Sequence, residues 1–213
     1  MLTIGKQLTA EERLSKAVVA IMGHPRYTAL AGVLMIGEKT IEDDVPTACT
    51  NGRDVKYGRA FVDGLTDAEL RGLVLHEDEG HKLHRHLEIW KWMYDIDPHL
   101  ANCACDYVIN IKIVDDNKED GFAELPEGGL VDERFRGMDS AQVFNILRNE
   151  QDSDSQDNES EGDGEQSEGG TTGSNNAAVG QGTGFDEHDW EGAQSLSDED
   201  KRELARDIDE AIR

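Results

Sequence analysis

A long stretch of almost purely polar residues limits which parts of this chain can fold. From Gln151 to Thr183 nearly every residue is Asp, Glu, Ser, Gly, Gln, Asn or Thr. Such a segment has too few apolar side chains to offset the entropy lost on ordering. We therefore predict three parts: an ordered domain over residues 1–149, a disordered acidic linker over residues 150–190, and a terminal helix over residues 191–213.

The charge of the chain restricts its partners. The formal net charge is −25, and the segment from Glu150 to Arg213 holds 20 acidic and 4 basic residues. Phosphate backbones and anionic membrane surfaces attract basic proteins, so we expect no nucleic-acid and no membrane partner. Divalent cations and basic partners suit this charge better.

The cysteines and the N-terminus favour a soluble, cytoplasmic protein. The cysteines Cys49, Cys103 and Cys105 are odd in number, and two of them are only two positions apart, which is a poor disulfide framework. Residues 1–10 lack the apolar core of a signal peptide. No apolar run approaches the ~20 residues needed to span a bilayer.

Capping signals mark the starts of several helices. Thr9 with Glu12, and Thr66 with Glu69, have the spacing of capping boxes, and Pro98 suits a first helical position. Periodic apolar residues follow these signals. The predicted helices are Leu8–Met22, Thr66 to about Tyr94, Pro98 through Ile111, Asp139 or Ser140 to Leu147, and Ser197–Arg213.

The terminal helix is amphipathic. Leu204, Ile208 and Ile212 fall on one stripe, which predicts burial of that face. No stop signal precedes Arg213. We therefore expect this helix to be the start of a C-terminal domain that is missing from the chain.

Short apolar runs predict a small sheet beside these helices. Ala29–Ile36 is predicted to be a buried strand and Asp54–Tyr57 a short strand, whereas Gly121–Gly129 is predicted to be a loop. The predicted fold class is therefore α+β, mainly helical with a small sheet, followed by the disordered segment and the terminal helix.

The segment His76–His81 reads HEDEGH and is one residue longer than the zinc-hydrolase motif H-E-x-x-H. In that motif two histidines four apart share a helix face and bind Zn²⁺, and the glutamate activates the metal-bound water. Residues five apart in a regular helix differ by about 140°. A regular helix therefore cannot direct His76 and His81 at one metal.

Two arrangements would restore a metal site. A π-bulge absorbs one extra residue, and Gly80 would tolerate it. Alternatively, Glu77, His81, His84 and Glu88 are spaced to share one helix face, and this face could equally be a solvated polar one.

The apolar register argues against the bulge. Leu73 and Leu87 lie within about 40° of each other in a continuous helix, and a bulge would rotate them apart. The sequence does not decide between the π-bulge and the different ligand set. His86 is a further alternate ligand.

A catalytic zinc site needs a third protein ligand. The next predicted helix offers Asp106 and Asn110, which are four apart and share a face. His99, just before them, is a weaker candidate. An aspartate in this position can equally serve as a cap or an ion-pair partner.

Several ordered pieces of the chain resemble a known family. They are Asn51-Gly52-Arg53, Leu65 to Leu70, Val74 to Glu77, Ala101-Asn102, Ala104 to Asn110, Leu125-Pro126 and Gly137 to Ser140. This pattern resembles the metallopeptidase domain that precedes a von Willebrand factor A-like domain in bacterial and phage proteins. The resemblance covers roughly the first 150 residues and implies a zincin-like fold.

The resemblance implies a role for individual residues. It gives His76, His81 and Asp106 as Zn²⁺ ligands and Glu77 as the catalytic base. The extra residue departs from the family spacing, but it is similar to the H-E-x-x-x-H variant of the dipeptidyl-peptidase III family. The implied partners are a peptide or protein substrate and a von Willebrand factor A-like domain encoded elsewhere.

Three functions are compatible with these features. The first is a zinc metallopeptidase in which a metal-activated water hydrolyses peptide bonds with Glu77 as general base. The second is a catalytically inactive metal-binding module, which the altered spacing favours. The third is an acidic interaction protein that uses its disordered tail to bind a basic partner.

Overall fold

The computed structural model describes residues 7–159 and 187–213, which form a mainly helical α+β fold and confirm the predicted class. Most of the predicted disordered linker lies outside the described residues. The helices are α1 (Ala10–Gly23), α2 (Ala31–Leu34), α3 (Arg59–Gly64), α4 (Asp67–Leu75), α5 (His86–Ile89), α6 (Lys91–Tyr94), α7 (Pro98–Asn117), α8 (Ser140–Glu159), α9 (Trp190–Ser195) and α10 (Asp198–Ala211). A π-helical segment (His76–Lys82) follows α4, and 3₁₀ turns cover Thr28–Leu30 and Glu133–Phe135.

The predicted helix starts are confirmed by their caps. In α1 the Thr9 side chain accepts from the Glu12 N–H, and the Glu12 carboxylate accepts from the Thr9 N–H. Thr66 and Glu69 exchange the same two bonds at α4. Each box satisfies backbone donors that have no partner within the helix. These local bonds explain why the sequence alone located the starts of both helices.

A small sheet lies beside the helices. Its strands are β1 (Lys39–Glu42), β2 (Ala48–Thr50), β3 (Val55–Gly58) and β4 (Glu187–His188). They lie in the order β1-β3-β2-β4, with β3 parallel to β1 and antiparallel to β2. The strand predicted at Asp54–Tyr57 is confirmed as β3, one residue further along.

The strand predicted at Ala29–Ile36 is wrong. Residues 28–34 form a 3₁₀ turn followed by α2, with Val33 and Leu34 buried. A short apolar run fits a buried helix as well as a buried strand, and only tertiary packing separates them.

Two apolar clusters form the core, and α7 contributes to both. Ile109 and Ile113 pack in the cluster built on α1, α4 and β3. Ala104 and Ile111 pack in the second cluster, with Phe144 of α8. Asp106 and Asn110 of α7 lie among these contacts and are buried.

Helix α8 is longer than predicted. Val143, Phe144 and Leu147 are buried as expected, but the helix continues to Glu159 instead of ending at Leu147. Once a helix is nucleated, each added residue gains one hydrogen bond, so a polar sequence can extend it.

Residues 187–213 pack against the rest of the described chain. Strand β4 pairs with β2, and Ala193 of α9 joins the second apolar cluster. In α10, Leu204 and Ile208 are buried as predicted, whereas Ile212 is 54% exposed. The predicted division of the chain into three parts stays a prediction.

No single helix among the described residues is long and apolar enough to cross a bilayer. Only Ala10–Gly23 and Thr28–Leu34 taken together pass the length and composition test, and the chain bends by 119° between them.

The cap of α4 supports the segment that carries the histidines. We expect Thr66→Ala to lower the free energy of unfolding by about 1 kcal/mol, because the Glu69 N–H loses its acceptor. Urea denaturation measures this loss. The control Thr66→Ser keeps the hydroxyl and should stay within about 0.5 kcal/mol of the parent. Equal stability of all three proteins would contradict the role of the cap.

Candidate metal centre

The chain changes helix type where the histidine motif begins. Helix α4 ends at Leu75, and His76–Lys82 continues it as a π-helical segment. The Leu83 N–H donates to the Asp78 carbonyl, five residues earlier, at 3.0 Å. A π-turn places residues five apart where a regular helix places residues four apart. The inserted residue is therefore absorbed, as the first of the two predicted arrangements requires.

The π-turn brings the Nε2 atoms of the two histidines together. His76 Nε2 and His81 Nε2 are 2.9 Å apart, and their ring centroids are 4.7 Å apart. Asp106 of α7 completes a triangle, with its Oδ1 3.6 Å from each of these nitrogens. The three side chains are almost fully buried, and they form a group that could hold a metal ion.

The spacing of these three atoms fits a small metal ion. Ligands about 2.0–2.1 Å from a tetrahedral zinc lie about 3.3 Å from one another. The observed separations of 2.9 and 3.6 Å lie on either side of that value. Two histidines and one carboxylate also form a catalytic zinc ligand set that leaves a position for water.

Asn110 fixes the orientation of His76. Its Oδ1 lies 2.8 Å from His76 Nδ1, and its Nδ2 donates to the Leu130 carbonyl at 3.1 Å. The second bond assigns Oδ1 as the acceptor, so His76 Nδ1–H is the donor. His76 Nε2 then carries the lone pair that a metal needs. Sequence reasoning weighed Asn110 only as a ligand and missed this orienting role.

Glu77 is fully buried in the same segment. The pKa of the nearby Tyr57 phenol, on β3, is raised well above its usual value. Burial is the main cause, and the negative charges of Asp78 and Glu77 add to it. The two carboxylates and the phenol thus share one poorly solvated region.

Gly80 is required by packing and not by backbone conformation. A Cβ at this position would lie 2.6 Å from Ile109 Cγ2, closer than real atoms approach. The missing side chain therefore lets the π-segment lie directly on α7, which carries Asp106. The sequence prediction explained Gly80 by tolerance of the bulge, and the close approach is the stronger reason.

A buried ion cluster ties the π-segment to the sheet. Asp78 pairs with Lys82 within the segment and with Lys39 of β1 at 3.1 Å. Lys82 Nζ also donates to the Ile36 carbonyl at 2.8 Å. Asp78 and Lys82 are 1% and 0% exposed in their side chains. The sequence analysis gave Asp78 no role, because its partner Lys39 lies far away in the chain.

The alternate ligands are not brought to the three-residue group. His84 is exposed, and Glu88 forms a bidentate pair with Arg85 near the surface. His86 is buried, and its ring centroid lies 5.5 Å from that of His81. His99, the weaker candidate, contacts the Cys103 thiol at 3.8 Å.

The prediction of one continuous helix from Thr66 to Tyr94 is wrong. The argument against the π-bulge assumed that helix, so it is wrong as well. Arg85 has a φ of 51°, which ends the helix, and two short helices follow. Leu73 and Leu87 then pack in different apolar clusters. Because the helix is broken between them, the bulge does not have to preserve their register.

The buried ion cluster predicts a strong stability effect. Asp78→Leu leaves Lys82 buried without its carboxylate, which should cost about 3–5 kcal/mol of unfolding free energy. The matched double variant Asp78→Leu with Lys82→Met removes the charges of Asp78 and Lys82 and should recover part of that loss, because Lys39 still lacks its carboxylate. Thermal and urea denaturation compare the three proteins. A single variant as stable as the parent would contradict the cluster's role.

Comparison with models of protein families identifies the family of this chain. The model of the family described as "putative metallopeptidase domain" matches residues 9–213. No curated protein and no solved structure matches the chain. The match spans the ion cluster, the π-segment and α7. The chain therefore belongs to this metallopeptidase family.

Proposed function

We propose that this protein is a zinc-dependent peptidase. The observation that carries the proposal is the convergence of His76, His81 and Asp106 at 2.9–3.6 Å, in a chain of a metallopeptidase family. The substrate class is a peptide or protein. The predicted von Willebrand factor A-like partner stays a prediction.

The three residues offer two imidazole nitrogens and one carboxylate oxygen, and this donor set suits zinc. Bound zinc would lower the pKa of a coordinated water towards about 7 and polarise the peptide carbonyl. Asn110 keeps the His76 ring in the orientation and tautomer that this binding needs.

Glu77 is the proposed general base. It follows His76 directly and is 0% exposed, so its carboxylate acts in a region of weak screening. Glu77 accepts a proton from the attacking water and delivers it to the leaving amine nitrogen. In the H-E-x-x-H motif, too, the histidines bind the metal and the glutamate is the general base.

One observation favours the second candidate, a catalytically inactive metal-binding module. The side chains of the site are at most 2% exposed, and closed sites are typical of structural metals. They are His76, Glu77, His81 and Asp106. Structural zinc sites usually have four protein ligands, however, and only three converge here among the described residues. The peptidase is therefore the better-supported proposal.

Metal analysis combined with a Glu77 variant tests the peptidase. The purified protein should contain about one zinc per chain and cleave members of a peptide library. Glu77→Gln should keep the zinc and lose about 10²–10⁴-fold in kcat/KM, because the general base is gone. Glu119→Gln, an exposed carboxylate on a loop, is the matched control and should keep full activity.

Each contrary result points to a different alternative. Bound zinc without any hydrolysis would favour the inactive module. Stoichiometric iron or manganese in place of zinc would reject the zinc assignment. Hydrolysis that survives Glu77→Gln would reject Glu77 as the base.

The Asn110 bonds predict a separate effect on metal affinity. Asn110→Ala should weaken zinc binding by about 10–100-fold, because His76 loses the acceptor that orients it. Competition with a chelating dye measures the affinity. Asn110→Asp keeps the acceptor and should retain most of it, whereas Asn145→Ala on the exposed side of α8 is a neutral control. Unchanged affinity in Asn110→Ala would contradict the orienting role.

A further inference from the structure

A cavity of about 130 Å³ lies beside the candidate metal centre. Trp90, Val108, Ile109 and Ile113 form its apolar wall. Cavities of similar size with apolar walls hold a benzene-sized group. The space therefore matches one medium-sized apolar side chain.

The cavity shares a wall with the metal centre. Gly80, which precedes His81, lines it, and so does His86, whose ring lies 5.5 Å from the His81 ring. Ile109, which precedes Asn110 on α7, lines it from the other side. The cavity is thus lined by the chain neighbours of His81 and Asn110 and by a histidine that lies against the His81 ring.

The exposed lining residues show which side of the cavity faces solvent. His84, Lys112 and Asp139 line the cavity and are exposed, whereas Ile109 and Ile113 are only 4% and 2% exposed. Lys112 is paired with Glu79 and, at 2.8 Å, with Asp116. A ligand thus enters past charged side chains and ends against apolar ones, which suits an apolar side chain on a polar peptide backbone.

We propose that this cavity is a substrate subsite that takes a leucine-, methionine- or phenylalanine-sized side chain of a peptide. The ring of His86, which lines the cavity, lies 5.5 Å from the ring of His81, and an extended chain advances about 3.3–3.6 Å per residue. We therefore place this side chain on a residue within about two positions of the cleaved bond. The assignment rests on the proposed peptidase function. The subsite adds to that function a preference for an apolar residue near the cleaved peptide bond.

Binding of small probes tests the subsite without any catalysis. The probes are N-acetyl methylamides of leucine, phenylalanine, alanine and glutamate, titrated into the Glu77→Gln protein and followed by amide NMR shifts. Leucine and phenylalanine should shift Gly80 and Val108 and bind at least about tenfold more tightly than alanine. Equal binding of all four probes, or shifts confined to other surfaces, would overturn the proposal.

Substitutions at Val108 change the size of the cavity in both directions. Val108→Phe should reduce leucine binding to the alanine level, while Val19→Phe, an exposed position on α1, should leave it unchanged. Should Val108→Phe fail to fold, Val108→Ala provides the opposite test, since it should favour phenylalanine over leucine by several-fold. Unchanged ratios in the folded Val108 variants would overturn the subsite.

The subsite and the peptidase can fail separately. Leucine-selective binding at Gly80 and Val108, without zinc or hydrolysis, would reject the proposed function and leave an apolar ligand site. Glu77-dependent hydrolysis of a peptide library with no apolar preference near the cleaved bond would reject the subsite and leave the peptidase.

Discussion

The i to i+5 turn of the π-segment is the constraint on which the metal centre depends. The inserted residue in His76–His81 would turn the second histidine by about 100° in a regular helix. The π-turn removes that rotation and leaves the two Nε2 atoms 2.9 Å apart. Such turns are rare, so the surrounding structure must hold this one in place. The proposed zinc chemistry exists only if this turn persists.

Several contacts hold the turn. Asp78 and Lys82 form an ion pair within it, and Lys39 links the pair to the sheet. Gly80, which has no side chain, packs directly against Ile109 of α7. Buried ion pairs seldom add net stability, but one of them can select a single backbone arrangement among close alternatives. Here the selected arrangement is the one that aligns His76 and His81.

The sequence predicted the parts of this structure that depend on neighbouring residues. The capping boxes at Thr9 and Thr66 are local, and both are found. The choice between the π-turn and a different ligand set could not be made, because it depends on Lys39 and Ile109, which are distant in the chain. The same limit explains the strand wrongly predicted at Ala29–Ile36, whose helical state is set by packing. Helix spacing made Asp106 a candidate third ligand beside Asn110, but only the family resemblance assigned it to the same metal as the histidines, since no local pattern shows that they meet.

The proposed peptidase rests on a buried group of three possible metal ligands beside an apolar cavity. Zinc K-edge X-ray absorption on the protein loaded with one equivalent of zinc tests the proposed ligands His76, His81 and Asp106 most directly. We expect two imidazole ligands, with nitrogen and oxygen neighbours at about 2.0–2.1 Å. A spectrum with one imidazole or none, or with sulfur neighbours at about 2.3 Å, would contradict it.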